Sequence, residues 1–253
     1  MRARGGDVDM AREHPPRRPF RQAGNDCPPW LAARILHLDE EVLVIDKPAG
    51  LPVSARTGPD LAALLPALRF GKRRDPQPAH RLDTDTAGCL ALGRTAPALA
   101  ALNRLFAERR VEKVYWAVLR GALPGDAGEI DAPLSKVSTA RAGWRMRVDP
   151  AGDPARTLWR VLGRNAGATL VEFRPETGRT HQLRVHAAHL GHPILGDAMY
   201  GGGAGGLQLL AQRITLPLLP ARQAEAPVPA HMQAAISGLA AAPPPPPHRH
   251  PAR

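Results

Sequence analysis

Short apolar runs broken by turn residues fill the chain between residues 35 and 218. ILHLDEEVLVIDKP, residues 35–48, predicts two short strands around an acidic turn, and CLALGRT, residues 89–95, predicts a buried strand. Further β-rich segments lie at residues 111–121, at three places between residues 143 and 175, and at residues 207–218. The three segments between residues 143 and 175 are typical of a meander.

Helical spacing interrupts these strands four times, at residues 60–70, 96–110, 180–191 and 231–240. Asp60 is the expected N-cap of the first helix, and Thr180 and Gly191 are the expected caps of the third. Strands in runs, with helices inserted but not strictly alternating, indicate an α+β fold with a mostly antiparallel, mixed sheet flanked by helices and loops.

The two ends of the chain lack a core-forming pattern. Residues 1–28 are rich in Arg, Pro and Gly, and residues 241–253 are a proline run with a basic tip. These compositions predict a disordered basic extension and a disordered Pro-rich tail. We therefore expect one folded domain over residues 29–240.

Bulk composition excludes several classes of function. There is no run of about 18 apolar residues and no apolar secretory region at the start, so we expect neither a membrane span nor export. Cys27 and Cys89 lie far apart without metal spacing, which suits a reducing cytoplasm. No nucleotide-binding glycine motif occurs, and the glycine cluster at residues 201–206 predicts a flexible loop. No exposed apolar heptad is present, so a monomer is expected.

The net charge of +11 belongs largely to the folded body, since residues 1–28 and 240–253 each account for only +2. Most of this charge is Arg, which binds phosphate through paired hydrogen bonds. Codon bias toward Arg, Ala and Pro would give the same enrichment. A basic body indicates a polyanionic partner, with nucleic acid as the first choice.

Candidate chemistry begins in AHRLDTDTAGCLA, residues 79–91. Asp83 lies where a loop meets the predicted strand, so its carboxylate can point into a cleft while the sheet holds it rigid. An ionised acid there needs a cation, and Arg184 of the third predicted helix is a candidate. The alternative is that Asp83 or Asp85 merely caps a turn.

Four histidines crowd within twelve residues: His181, His186, His189 and His192. Such a cluster either binds a metal or makes ordinary caps and core hydrogen bonds. The chain lacks an H-E-x-x-H motif and a nearby cysteine, which favours the second interpretation, so no metal is expected.

Tyr115 shares one face of its predicted strand with Lys113. An aromatic ring beside a cation is a stacking platform for a base near a phosphate. The alternative is an ordinary sheet tyrosine.

Four ordered blocks together resemble the RluA-like family of RNA pseudouridine synthases over about residues 35–219. ILHLDEEVLVIDKPAGLPV is similar to the family's first strands and its K-P-x-G-L-x-V segment. HRLDTDTAGCLAL is similar to its H-R-L-D-x-x-T-S-G active-site motif, and EKVYWAVLRG to its K-x-Y-x-A-x-V-x-G strand. TGRTHQLRVH followed by GHPILGDAMYG is similar to its remaining signature. The resemblance implies the pseudouridine synthase catalytic fold with a central cleft.

The resemblance also implies a catalytic role for three matching residues. Asp83 would be the catalytic aspartate. Tyr115 would lie against the target uracil and assist removal of the proton from C5. Arg184 would pair with Asp83 and aim its oxygens.

Four further residues would bind the substrate. Arg81 would help to hold the target nucleotide out of its helix, and Leu183 would pack beside the base. His80 and Lys113 complete this expected set. Asp85 would support the loop instead.

The implied reaction converts specific uridines of structured RNA, ribosomal or transfer RNA stem-loops, into pseudouridine. The N1–C1′ bond breaks, the uracil rotates and C5 joins C1′, so no cofactor is required. Reaching the uracil requires base flipping. Whether the aspartate attacks C1′ or a glycal forms is open. A non-catalytic RNA-binding or RNA-folding protein on the same fold and a metal hydrolase built on the histidine cluster are the alternatives.

Three positions depart from the family pattern. Thr84 stands where Arg is frequent, Ala87 where Ser is usual, and Leu210 where a His is usual. None of them is an expected catalytic residue. No S4-type RNA-binding domain fits before residue 35, so we expect the catalytic domain itself to choose the target.

Overall fold

The computed structural model describes residues 27–55, 57–139 and 143–241. The predicted disordered extension and tail, residues 1–28 and 241–253, lie almost entirely outside this described part of the chain. Among the described residues, no helix has both the length and the hydropathy needed to cross a membrane.

The described residues form thirteen strands. In chain order they are β1 Ile35–Leu38, β2 Val42–Lys47, β3 Gln77–Pro78, β4 Ala87–Gly93, β5 Glu112–Arg120, β6 Ala127–Asp131, β7 Leu134–Thr139, β8 Gly143–Val148, β9 Arg156–Arg164, β10 Ala168–Pro175, β11 Leu209–Leu216, β12 Arg222–Glu225 and β13 Ala240–Ala241. The helices are α1 Pro29–Ala32, α2 Ala96–Ala107, α3 Gln182–His189 and α4 Ala230–Ser237, with a 3₁₀ helix at Leu61–Leu68.

Eleven of the strands form one sheet with the main order β1-β2-β4-β11-β5-β10-β9-β13, while β7 and β8 pair separately as a hairpin. Every strand pair in the described chain is antiparallel except β4 with β11. The α+β fold class with a mostly antiparallel sheet is therefore confirmed.

Apolar side chains cover both faces of the sheet. On one face, α2 and α4 pack against the alternate residues of β5 that include Val118 and Trp116. On the other face, Ala117 and Tyr115 pack against α3 and its neighbours. This alternation is what strand geometry requires. It confirms the strand face that Tyr115 was predicted to take.

The predicted helix caps were correct at one site and wrong at another. Asp60 caps the 3₁₀ helix, because its Oδ1 accepts a hydrogen bond from the backbone N–H of Ala62 at 3.0 Å. Thr180 does not cap α3, which begins at Gln182 after His181 in a left-handed conformation with φ of 54°. The preceding turn is held by the Gln182 side chain, whose Oε1 accepts from the Arg179 N–H at 3.0 Å.

The parallel pairing of β4 with β11 requires a glycine at position 88. Ala211 is the partner of Gly88 in this pairing, and Gly88 has φ of 110°. A Cβ at position 88 would overlap the backbone carbonyl of Ala211. The two strands could not keep this spacing with any larger residue.

Gly88→Ala is therefore expected to lower the free energy of unfolding by about 3 kcal/mol or more, through backbone strain and overlap together. Gly58→Ala is the matched control, since Gly58 also has a positive φ, of 83°, but open space where the methyl group would go. The control should lose only about 1 kcal/mol. Urea unfolding measures both, and equal losses would show that the close approach of the strands costs nothing.

Candidate active site

A cleft of about 960 Å³ opens beside the sheet, between the loop that precedes β4, the first half of β5 and the start of α3. All seven site residues predicted from the sequence line it: His80, Arg81, Asp83, Lys113, Tyr115, Leu183 and Arg184. Residues more than 100 positions apart in the chain thus meet in one cavity.

Asp83 projects its carboxylate into this cleft from the loop before β4. Its side chain is 20% exposed, and its Oδ2 lies 3.9 Å from both Arg184 Nη1 and His181 Nε2. The turn that follows is closed by the backbone, with the Thr86 N–H donating to the Asp83 carbonyl at 3.1 Å. No described residue donates a hydrogen bond to the Asp83 carboxylate, so the geometry does not support the turn-cap alternative.

Lys47 connects the loop that carries Asp83 to the segment that follows β2. This fully buried side chain donates to the backbone carbonyls of Pro48, Leu51 and Thr84 at 2.8–2.9 Å. Three carbonyl acceptors match the three protons of an ammonium group. Burial lowers the pKa of Lys47 to about 8, which leaves it charged at neutral pH. Lys47 lies in a segment that resembles the family pattern, but the sequence predicted no role for it.

Arg184 has a closer partner than the predicted one. Its Nε and Nη2 form two parallel hydrogen bonds with Asp197, at 2.7 and 2.8 Å, and the Asp197 side chain is fully buried. The Arg184–Asp83 distance of 3.9 Å is longer. Asp197 Oδ1 also accepts from the backbone N–H groups of Met199 and Tyr200. The structure thus adds Asp197 as the anchor that aims Arg184 toward Asp83.

Gly202, from the glycine cluster that was predicted to be a flexible loop, closes a hydrogen-bonded turn around Asp197. The Gly202 N–H donates to the Asp197 carbonyl at 2.7 Å, and the Gly196 N–H donates to the Gly202 carbonyl at 3.0 Å. A Cβ at Gly202 would overlap the carbonyl of Ile194. Glycine is needed here because the backbone folds back onto itself around Asp197.

Tyr115 and Lys113 reach the cleft from the same face of β5. Burial, reinforced by the charge of Asp83, raises the pKa of Tyr115, so its phenol is neutral at physiological pH. Lys113 Nζ donates to the Thr177 carbonyl at 3.3 Å. Burial and the neighbouring Arg109 lower the pKa of Lys113 to about 8.

His80 supports the loop while bordering the cleft. Its Nε2 accepts a hydrogen bond from the Ala91 N–H at 3.0 Å, and its ring stacks on Phe106 at 4.6 Å between centroids. Burial lowers the pKa of His80 to about 3, so the ring is neutral. Arg81, in contrast, is exposed, and Leu183 is buried in α3 against the sheet.

The clustered histidines make separate hydrogen bonds. His186 contacts Thr157 Oγ1 at 2.9 Å and the Ala132 carbonyl at 3.0 Å, and His192 contacts the Arg120 carbonyl at 2.8 Å. Within the described ranges, no three His, Cys, Asp or Glu side chains converge as metal ligands would. The capping and core-bonding interpretation is the one that this geometry supports.

The cleft is basic. Among the described residues that line it, six are Arg or Lys and three are Asp or Glu. The cationic members are Arg81, Arg109, Lys113, Arg174, Arg179 and Arg184. A concave surface of this sign and size attracts a polyanion and can enclose a nucleotide.

Comparison with known proteins defines the class. A family model described as RNA pseudouridylate synthase matches residues 41–189, more than half of the chain. The chain therefore belongs to the RNA pseudouridylate synthase family, as the sequence motifs predicted.

Individual relatives carry the same family description. An uncharacterised RNA pseudouridine synthase of Zymomonas mobilis is 51% identical over 68% of this chain and 80% of its own length. Ribosomal large subunit pseudouridine synthase D of Yersinia pestis is 38% identical over 70% of this chain and 55% of its own. The chain thus spans only about half of that longer relative.

Solved structures agree with this assignment. Human RNA pseudouridylate synthase domain containing 4 superposes with a TM-score of 0.69 at 29% identity, over 80% of this chain and 91% of that protein. The pseudouridine synthase fold expected from the sequence is confirmed.

Asp197→Ala is expected to lower the free energy of unfolding by about 3–5 kcal/mol, because it leaves the Arg184 charge buried without its partner. Asp153→Ala is the matched control, since Asp153 is 71% exposed and lies 3.7 Å from Arg179. A surface pair of this kind contributes about 0–1 kcal/mol. Urea unfolding of both variants tests the difference, and a small loss for Asp197→Ala would contradict the anchoring role.

Proposed function

We propose that this protein isomerises specific uridines of structured RNA to pseudouridine, with Asp83 as the catalytic group. The observation that carries the proposal is the Asp83 carboxylate, which faces a basic cleft that also contains Tyr115 and Arg184. Family membership supports the reaction type.

The proposed reaction conserves all atoms. The N1–C1′ bond of uridine breaks, the uracil turns and C5 bonds to C1′. C5 then loses its proton to water with the assistance of the Tyr115 hydroxyl, and N1 gains a proton from water. Asp83 either attacks C1′ and is later displaced or removes the proton from C2′ on a glycal route. Both routes need an ionised carboxylate held beside the ribose.

Tyr115 lies against the uracil and assists removal of the C5 proton as a neutral phenol, not as a phenolate base. Its raised pKa makes the phenolate costly at neutral pH. The neutral ring, half-buried at the base of the cleft, presents a flat face on which a pyrimidine packs. Leu183, on the neighbouring helix, adds apolar contact to the same base.

Arg81 keeps the target nucleotide outside its helix. A base inside a duplex is out of reach of a cleft residue, so the uridine must flip out of the stack. Arg81 is exposed at the loop that carries Asp83. From this position its planar guanidinium can contact the RNA helix out of which the uridine has flipped. The other cations of the cleft bind the flanking phosphates, so affinity falls as salt rises.

Large-subunit ribosomal RNA is the first candidate substrate, because several relatives are named ribosomal large subunit pseudouridine synthases. Transfer RNA is the second. The monomeric state and the cytoplasmic location stay predictions from the sequence. A non-catalytic RNA-binding protein on this fold is the alternative, and it predicts RNA binding without isomerisation.

Asp83→Asn is expected to reduce the rate of isomerisation by at least about 10³-fold, because the amide is neither a nucleophile nor a base. Tritium release from RNA labelled at C5 of uridine measures the rate, and filter binding measures RNA affinity, which should stay within a few-fold of wild type. Asp85→Asn, two residues away and exposed outside the cleft, is the control and should remain active.

Pseudouridine mapping in cells lacking the gene identifies the substrate. The modified site should be lost on deletion and restored by wild type or Asp85→Asn, but not by Asp83→Asn. Restoration by Asp83→Asn would refute the catalytic assignment. RNA binding by wild-type protein without any isomerisation would favour the non-catalytic alternative.

RNA affinity is expected to fall by about tenfold between pH 7 and pH 9, because Lys113 loses its charge as pH rises through its lowered pKa of about 8. Lys113→Arg should flatten this dependence, since Arg keeps its charge. Lys72→Arg, the same change at an exposed ion pair with Glu40, is the control and should keep the wild-type slope. Fluorescence anisotropy with labelled RNA measures all three, and an unchanged slope in Lys113→Arg would exclude Lys113 as the titrating group.

A further inference from the structure

His181 occupies an unusual position at the wall of the cleft. Its φ of 54° places a non-glycine residue in the left-handed region at the N-terminus of α3, and its side chain is only 9% exposed. Backbone strain of this kind persists where the surroundings over-determine it, often at functional sites. The conformation directs the ring away from the helix axis and toward Asp83, with Nε2 3.9 Å from Oδ2.

The hydrogen bonds around His181 favour one position for the proton of its ring. Tyr200 Oη accepts from the Met146 N–H at 3.0 Å and lies 2.9 Å from His181 Nδ1. The hydroxyl proton of Tyr200 needs an acceptor, and Nδ1 is the acceptor that the described residues place within reach. Nδ1 is then an acceptor, so the proton of the neutral imidazole is on Nε2, the atom that faces Asp83.

Burial keeps the ring of His181 neutral. Burial lowers the pKa of His181, and the nearby cations Arg184 and Arg81 lower it further, against the opposing effect of Asp83 and Asp197. Tyr200 meets the ring edge-on at 5.7 Å between centroids. The indole of Trp144, from β8, lies against the ring at 5.1 Å and shields it on that side.

Two donors therefore converge on one oxygen of the catalytic carboxylate. His181 Nε2 and Arg184 Nη1 each lie 3.9 Å from Asp83 Oδ2, and no described residue donates a hydrogen bond to either oxygen of this carboxylate. A distance of 3.9 Å is longer than a hydrogen bond, but a shift of about 1 Å of the carboxylate would bring it within range of these donors. Contacts of catalytic groups commonly tighten in this way when the substrate binds.

We propose that His181 is a positioning residue for Asp83: its Nε2–H, fixed by Tyr200, acts with Arg184 to hold Oδ2 and leaves Oδ1 to react with the target nucleotide. The expected effect of His181 on the reaction rate rests on the proposed function. The expected position of the ring proton rests on the geometry alone. A purely structural role, in which His181 only ties Tyr200 to α3, would make the tautomer irrelevant to the rate.

Three substitutions separate these roles. His181→Asn removes the imidazole but keeps a residue that tolerates the left-handed conformation. His181→Gln returns an N–H donor of greater reach. Tyr200→Phe keeps the ring and removes the hydroxyl that sets the tautomer. His189→Asn, at an exposed histidine of the same helix, is the matched control.

Single-turnover tritium release at saturating enzyme is expected to be about 10²-fold slower in His181→Asn, the scale of a mispositioned reacting group. RNA affinity and the melting temperature should stay close to wild type, and His181→Gln should recover part of the rate. His189→Asn should match wild type throughout.

¹⁵N NMR of the histidine rings tests the tautomer without RNA, with His181→Asn identifying the resonance. Wild type should show a neutral ring protonated at Nε2, and Tyr200→Phe should shift the proton toward Nδ1 and slow the reaction. A wild-type ring protonated at Nδ1, or a wild-type rate in His181→Asn, would overturn the proposal. Absence of isomerisation by wild type on every RNA would instead refute the proposed function, and the NMR result would still decide the tautomer.

Discussion

The buried ion pair between Arg184 and Asp197 is the interaction on which the site depends. Neither charge can remain in the interior without the other, so the pair ties α3 to the glycine-rich turn that follows it. Because two of the guanidinium nitrogens are held by Asp197, the third can face in only one direction, toward Asp83. Asp197 also binds the backbone of Tyr200, whose hydroxyl reaches His181. One carboxylate thus positions both groups that face the Asp83 oxygen.

The parallel pairing of β4 with β11 positions the remaining residues of the site. It brings the loop that carries Asp83 next to β5, which pairs with the far side of β11 and carries Tyr115. Lys47 then ties this loop to the segment after β2, because its ammonium donates to the Thr84 carbonyl of the loop and to the carbonyls of Pro48 and Leu51. The carboxylate is held indirectly, through its backbone, which leaves its own oxygens free for chemistry. Support through the backbone suits a side chain that must be both well placed and reactive.

Most of the fold and the central residues of the cleft could be predicted from the sequence. The predictions that failed did so for physical reasons. Strands follow from apolar periodicity, and the motifs that contain Asp83, Tyr115 and Arg184 placed these residues in one site, which agrees with their position in one cleft. Asp197 was passed over because its pairing with Arg184 depends on a turn that glycine composition suggested was flexible. At Gly202 the glycine is required by close backbone packing, whereas Gly205 and Gly206 have open space where a Cβ would lie.

The error at Thr180 has a related origin. A threonine before an apolar helical run is ordinarily a good cap. Here the turn before α3 is organised by a side chain from inside the helix, since Gln182 bonds to Thr177 and to the backbone of Arg179. Local rules fail at this point because the start of the helix is arranged for the site and not for the helix alone.

The departure at position 210 affects packing and leaves the cleft unchanged. Leu210 lies in the core on the face of the sheet that α2 and α4 cover, whereas Leu209 beside it lines the cleft. Across the strand pair, Leu210 is the partner of Trp116, whose Nε1 is buried without a hydrogen-bond partner among the described residues. An imidazole at position 210 would offer that indole an acceptor on the same face, and a leucine offers only apolar contact. Leu210 therefore contributes apolar burial on the face of the sheet opposite the Asp83 carboxylate, where its effect is on packing and stability.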